Sequence, residues 1–221
     1  MPKPPTLWNR MGSTTQLSNS VVGQNLSQTG TPTHPSGKFG NAYDPAVSNY
    51  STFTQDLSGN GTHRAGTIEM WVDFNDPGVT TQYMIVGNSD DVSPNQWSIF
   101  FNRGAALDLD WRFGGAQLGC NGFDSFYGTT FHIAFVWDRD GIEGGSDIRR
   151  IYKDGSQLAS STATIGADTL YTNSTLYIGI RHSNTNPWTD WIDNFKLFDY
   201  AKTDFNDRFN ERGSMNDQIY G

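Results

Sequence analysis

Glutamate is nearly missing from this chain: Glu69, Glu143 and Glu211 are the only three in 221 residues. Cysteine is scarcer still. Cys120 stands alone, so no disulfide can form within the chain and the core must suffice. Basic residues number 15 against 23 acidic ones, a net charge of -8. The longest basic run is Arg149-Arg150, flanked by Asp147 and Asp154. No basic stripe is there to neutralise phosphates, which argues against nucleic acid as a partner. No run approaches the ~18 apolar residues of a membrane span. No apolar stretch follows Met1, Pro2, Lys3, Pro4 and Pro5, as a secretory signal requires. A Gly-rich phosphate loop and an HExxH helix are missing too.

What is plentiful points one way. The chain has 24 glycines, 14% aromatic residues and only 17% charged ones, a mixture that suits many strands joined by tight turns. Its acidity comes from Asp, a turn residue. The length suits one large β-sandwich or two small domains.

Prolines at positions 2, 4 and 5 predict that residues 1–12 form an extended N-terminal arm, one that docks on a neighbouring protein. Residues 13–66 are polar, with a short strand expected at 37–43 after a turn. From Thr67 the pattern sharpens. Ile68, Met70, Val72 and Phe74 point one way and Thr67, Glu69, Trp71 and Asp73 the other, the alternation of a half-buried strand. Leu107, Leu109, Trp111 and Phe113 alternate with Asp108, Asp110 and Arg112 in the same manner. Further strands are expected at 83–86, 97–102, 131–138, 148–153, 170–181 with a break, and 191–198. Asp154-Gly155 supplies the positive φ values of a tight hairpin. A short helix is expected at the end: Thr203 caps it, Phe205 and Phe209 share a face, and Gly213 ends it. Eight or more strands without a long linker make residues 13–221 a single all-β, two-sheet antiparallel sandwich. Its predicted inward residues are Ile68, Met70, Val72, Phe74, Leu109, Phe135, Ile178 and Phe195.

Four segments, in order, resemble the concanavalin A-like (laminin G-like) jelly-roll superfamily. Residues 36–43 resemble the early strand of such domains, and residues 66–72 their central strand. Residues 131–137 with 150–155 resemble the paired strands and the Tyr-x-Asp-Gly hairpin, carried here by Tyr152, Lys153, Asp154 and Gly155. Residues 191–203 resemble the last strand and its exit. The resemblance speaks to fold, because this fold hosts lectins, adhesins, glycanases and structural domains alike.

The glycanase branch of that superfamily carries two Glu and an Asp on one strand face, two or three residues apart, which sets an acid and a nucleophile ~5 Å from each other. Here Glu69 and Asp73 share a face, but two pleats separate them by roughly 13 Å. Asp108 and Asp110 are closer yet lack a third acid, so a metal or an ion pair with Arg112 suits them better than hydrolysis. His34, His63, His132 and His182 are scattered, and His132 reads as a half-buried strand residue. The chain is read as non-enzymatic.

Two ligand classes remain. Calcium is common in the superfamily, and the resemblance maps one calcium-binding acid onto Asp193; the alternatives are a structural, hydrogen-bonded Asp193 and no cofactor at all. For glycans, the candidates are Trp188 in the polar loop with Asn184, Asn186 and Asp190, Trp71 on the outer face, and Phe123, Phe126 and Tyr127 in a Gly-rich loop. Aromatic rings stack on sugar C–H groups while Asn and Asp hold hydroxyls. The first functional reading is therefore a structural and adhesive protein of a virion surface, made in the cytoplasm without a signal peptide. Residues 1–12 would dock it on a capsid or tail protein, and it would hold surface glycans. The alternative is a lectin-like domain of a secreted or cell-surface protein. Neither excludes an oligomer.

Overall fold

Ile68, Met70, Val72 and Phe74 are fully buried on one side of a strand, and that strand organises the molecule. The structure, a computed structural model, describes residues 3–45, 48–55, 64–75, 82–88, 97–103, 107–113, 116–121, 126, 128–164, 175–180 and 187–209. Two antiparallel sheets face each other. The first contains β1 (Leu7–Asn9), β6 (Ala65–Phe74), β11 (Thr129–Asp138), β12 (Arg149–Lys153), β13 (Ser156–Ser161) and β15 (Ile192–Phe198), in the order β1-β15-β6-β11-β12-β13. The second contains β2 (Ser27–Thr29), β5 (Tyr50–Thr54), β7 (Gln82–Asn88), β8 (Trp97–Arg103), β9 (Leu107–Phe113), β10 (Ala116–Asn121) and β14 (Thr175–Ile178), in the order β10-β9-β8-β7-β14-β5-β2. A two-stranded hairpin, β3 (Ser36–Gly37) and β4 (Gly40–Asn41), stands apart from both. One turn of helix, α1 (Thr14–Leu17), is capped by the Ser13 hydroxyl.

All eight residues predicted to point inward are completely buried in one apolar cluster between the sheets. Aromatic rings fill its middle. Trp137 of β11 meets Trp97, Trp111 and Phe113 of the facing sheet at 6.2, 6.2 and 5.8 Å between centroids, edge-on contacts that rings favour. The Trp137 ring lies where a side chain on Gly66 would stand, so only glycine fits there. Arg149, also fully buried, donates to the main-chain oxygens of Trp111, Ala116 and Gln117 and so ties β12 to β9 and β10. Burial pulls its pKa down to about 10. Asp154 (φ 50°) and Gly155 (φ 86°) form the expected tight turn between β12 and β13.

Two expectations need correction. Residues 1–12 are not an arm throughout, because Leu7–Asn9 pair with β15 as β1. Leu7, Trp8 and Met11 are buried. The prolines stop at position 5, and the apolar residues after them supply what a sheet edge needs. Deleting residues 1–12 is therefore expected to destabilise the domain by several kcal/mol, since each such side chain contributes ~1.5–3 kcal/mol. Thermal melting checks this, and an unchanged midpoint would restore the arm. Of the expected terminal helix, residues 203–205 are not helical and Asn206–Phe209 form a 3-10 turn, while 210–213 lie outside the described residues. Phe205 and Phe209 are held by rings of the sheet rather than by a helix of their own.

Candidate functional site

Trp188 is not a sugar platform. Its side chain is fully buried, stacked on Phe74 at 5.1 Å and tilted against Phe101 at 5.3 Å. The Trp188 main-chain N–H donates to Gly179 O, just beyond β14, and fixes the loop there. A large ring between Phe74 and Phe101 gains more from burial than from water. Asn184, Asn186, Phe123 and Tyr127 lie outside the described residues. Asp190 is half-buried and already engaged, accepting from Asn75 N at 2.7 Å and Asn75 Nδ2 at 3.0 Å. Burial raises its pKa, opposed by the Asn75 hydrogen bonds and assisted by Asp73 and Asp44.

Trp71 does stand on the outer face of β6, as its alternation requires, but that face is covered. Lys38 Nζ lies 4.4 Å from its ring centre, Phe209 packs on it at 5.4 Å, and its indole N–H donates to Arg208 O. Beside it sits a buried charged cluster centred on Glu69, from the polar side of the β6 alternation. Glu69 is buried, with Lys196 Nζ at 3.1 Å, Lys202 Nζ at 2.8 Å and His132 Nε2 at 3.8 Å from its oxygens. Burial works to raise the Glu69 pKa, but Lys196, Lys202 and His132 overcome it and hold it at about 2. His132 is driven to about 4, chiefly by burial, with Lys196, Lys202 and Arg208 acting the same way and Glu69 the other. A single carboxylate locked between two ammonium groups is no general acid or base for a substrate.

Strict alternation along residues 191–198 would set Asp193 on the same face as Trp191, Phe195 and Leu197, but it faces the other way from Phe195 and Leu197. The register of β15 on β6 slips between Asp193 and Lys196, and Asn194 adopts φ 55°. This bulge breaks the alternation, so Asp193 points outward opposite Trp71 while Phe195 and Leu197 point into the core. Asp193 Oδ2 accepts the Phe39 N–H at 2.9 Å and lies where a side chain on Gly37 would crowd it. Asp193 thereby fastens the β3–β4 hairpin to the sheet. Calcium takes six to eight oxygens, and among the described residues no group of three or more acidic, His or Cys side chains is placed to hold a metal. Asp193 thus serves here as a hydrogen-bonded structural acid, the alternative reading of this position.

The surface that combines rings with hydrogen-bonding groups is the outward face of the seven-stranded sheet. The registers align one continuous row across it: Ser27, Thr52, Tyr177, Gly87, Ser98, Arg112 and Gln117. Beside that row Met84, Phe100, Asp110 and Gly119 form a second. Tyr50 and Tyr177 pair at 5.5 Å between ring centres and are half-buried. The Arg112 guanidinium lies 4.8 Å from the Phe100 ring centre and 4.0 Å from Asp110, whose Oδ1 accepts from Gln117 at 2.6 Å. Phe100 sits under Arg112 and Asp110 between Arg112 and Gln117, so the polar groups are held in place before any ligand arrives. The side chain of Asp108 lies outside what the structure describes. Alternation in residues 107–113 flagged Asp110 and Arg112, but Tyr50 and Tyr177 lie 127 positions apart and carried no local signal.

The family described as the concanavalin A-like lectin/glucanases superfamily matches residues 45–205, well over half of the chain. The chain belongs to this superfamily. Among solved structures, one match is domain 4 of AbnA, a GH43 extracellular arabinanase from Geobacillus stearothermophilus, in complex with arabinotriose. It superposes with a TM-score of 0.62 at 15% identity, over 89% of this chain and 93% of that one. The botulinum neurotoxin type C structure, described by its dependence on two ganglioside molecules for cell entry, gives 0.64 at 17% identity over 95% of this chain. The binding domain of botulinum neurotoxin serotype D/C VPI 5993 gives 0.66 at 17% identity. The chain spans about half of each toxin chain, 51% and 52%. No curated protein matches it. At these identities the likeness is one of fold.

Proposed function

We propose that this chain is a non-catalytic carbohydrate-binding domain whose sugar platform is the outward face of the seven-stranded sheet. One observation carries the reading: the cross-strand row that sets the Tyr50–Tyr177 pair at one side and the Arg112–Phe100–Asp110–Gln117 group at the other. Tyr177 and Arg112 are three strands apart, roughly 14 Å, a span suited to a short oligosaccharide. Half-exposed tyrosines present apolar faces to sugar C–H groups, and Arg112 and Gln117, held in place by the buried Asp110, meet hydroxyls at little entropic cost. Sugar binding in relatives of the same fold supports this: the arabinanase domain holds arabinotriose, and the type C neurotoxin interacts with gangliosides. The finer reading, a virion surface protein gripping host glycans, is one setting for such a domain. It now draws on the sugar face and no longer on residues 1–12, part of which is a sheet strand.

The test is a broad glycan array followed by calorimetry on the best ligand. Tyr177→Ala and Arg112→Ala are each expected to weaken binding about tenfold or more, equal to ~1.4 kcal/mol, with the melting temperature nearly unchanged. An array on which the wild type binds nothing would overturn the proposal. So would tight binding that neither substitution alters.

A further inference from the structure

Residues 199–209 leave the last strand and cross back over the outer face of the six-stranded sheet. They are fastened at four points. Thr67 Oγ1 donates to Tyr200 O and accepts the Lys202 N–H, each at 2.9 Å. Lys202 Nζ reaches Glu69 and Asp207, both at 2.8 Å. Thr203 Oγ1 donates to Glu143 at 2.8 Å. Trp71 Nε1 donates to Arg208 O at 3.1 Å. Aromatic rings continue the clamp, in the sequence Tyr152, Phe205, His132, Trp71 and Phe209, with centroid spacings of 4.9, 5.5, 5.6 and 5.4 Å. Two of those rings, Phe205 and Phe209, belong to the crossing segment.

His132 lies at the centre of this clamp and nothing uses its polarity. It is buried, and among the described residues neither ring nitrogen has a hydrogen-bond partner. The charged groups around it come from every side. Glu69 stands on β6, Lys196 on β15, and Lys202, Asp207 and Arg208 on the crossing segment. Asp154 of the β12–β13 turn accepts the His132 main-chain N–H, with Lys153 beside it, and Lys38 of the β3–β4 hairpin covers Trp71. The carboxylate nearest the imidazole is Glu69, already shared by two ammonium groups. A proton on His132 therefore adds a cation to a dry site holding Lys196, Lys202 and Arg208. Two of those three cations ride on the segment that can leave.

We infer that residues 199–209 are an acid-released latch: protonation of His132 drives the segment off the sheet and uncovers Trp71, His132 and the inner face of Phe205. The sandwich itself stays closed, because its core lies on the other side of β6 and β11 and contains none of these charges. The uncovered surface is aromatic and flanked by Lys38, the make-up of a second contact face available only in acid. Release removes burial and the Lys202 and Arg208 charges, which together hold His132 down at about 4, so the opening equilibrium rises as pH falls toward that value, by about 100-fold for a recovery of two pH units.

Hydrogen exchange by mass spectrometry from pH 7 to pH 4, corrected for intrinsic rates, tests it. Amides of residues 199–209 are expected to open about 100-fold more in acid, while those of β6 and β11 keep their protection. His132→Gln, shown folded at pH 7 by circular dichroism and melting, should hold its latch closed to pH 4. Arg208→Gln should shrink the step. A step that survives in His132→Gln overturns the inference, as does simultaneous opening of latch and core strands in the wild type.

Discussion

Replacing Trp188 with Ala is expected to destabilise the domain by about 3–5 kcal/mol, the usual cost of removing a large ring from a core that cannot collapse around the hole. The ring is completely buried and stacked against Phe74 and Phe101 from the two sheets. Both are strand residues whose backbones are held by ladder bonds, so neither can move in to fill the space. Chemical denaturation of the purified variant gives the value directly. A loss of sugar binding with stability intact would return Trp188 to the surface and contradict its packing. Trp188→Phe should recover much of the loss, because stacking on Phe74 needs only a ring.

Glu69→Ala should cost a similar amount, about 3–5 kcal/mol, by a different route. It leaves Lys196 buried without its anion and Lys202 with Asp207 alone, and an uncompensated buried charge is what makes breaking such pairs expensive. Glu143→Ala is the control. The Glu143 carboxylate also holds two partners, Arg150 and Thr203, but its side chain is 59% exposed, where an ion pair contributes little. The pH dependence has a definite sign. Unfolded, Glu69 takes up a proton near 4.5; folded, it keeps its charge down to about 2. Its contribution is therefore complete above 4.5 and is lost as pH falls from there through 2. His132 adds a loss of the same sign at higher pH, between 6.5 and about 4, because the unfolded imidazole accepts a proton that the folded one refuses. Denaturation midpoints measured across pH 7 to 2 should fall in both windows for the wild type, and the lower fall should vanish in Glu69→Ala. Stability that is flat down to pH 3 would contradict both assignments.

The sequence by itself determined the fold class and much of the core. Period-two alternation in residues 67–74 and 107–113 marks one face as apolar, and in a sandwich that face must meet another sheet, so Ile68, Met70, Val72, Phe74 and Leu109 were legible as core. Asp154-Gly155 named its own turn, because few other residue pairs adopt two successive positive φ values cheaply. Alternation, however, says only that two faces differ. It cannot say that the polar face of β6 is itself covered, and that decided the fates of Glu69 and Trp71, which lie beneath a segment more than a hundred residues later. A single bulge at Asn194 reversed the direction of Asp193, since one extra residue exchanges the faces of everything before it. Trp188 looked exposed because its neighbours in sequence are polar, whereas its neighbours in space are Phe74 and Phe101. The proposed sugar face, too, is assembled from β5, β14, β8, β9 and β10. Strand pairing across the sheet brings Tyr50 to Tyr177 and Arg112 to Gln117, and that pairing is set by the whole sandwich, through contacts that no local stretch of sequence contains.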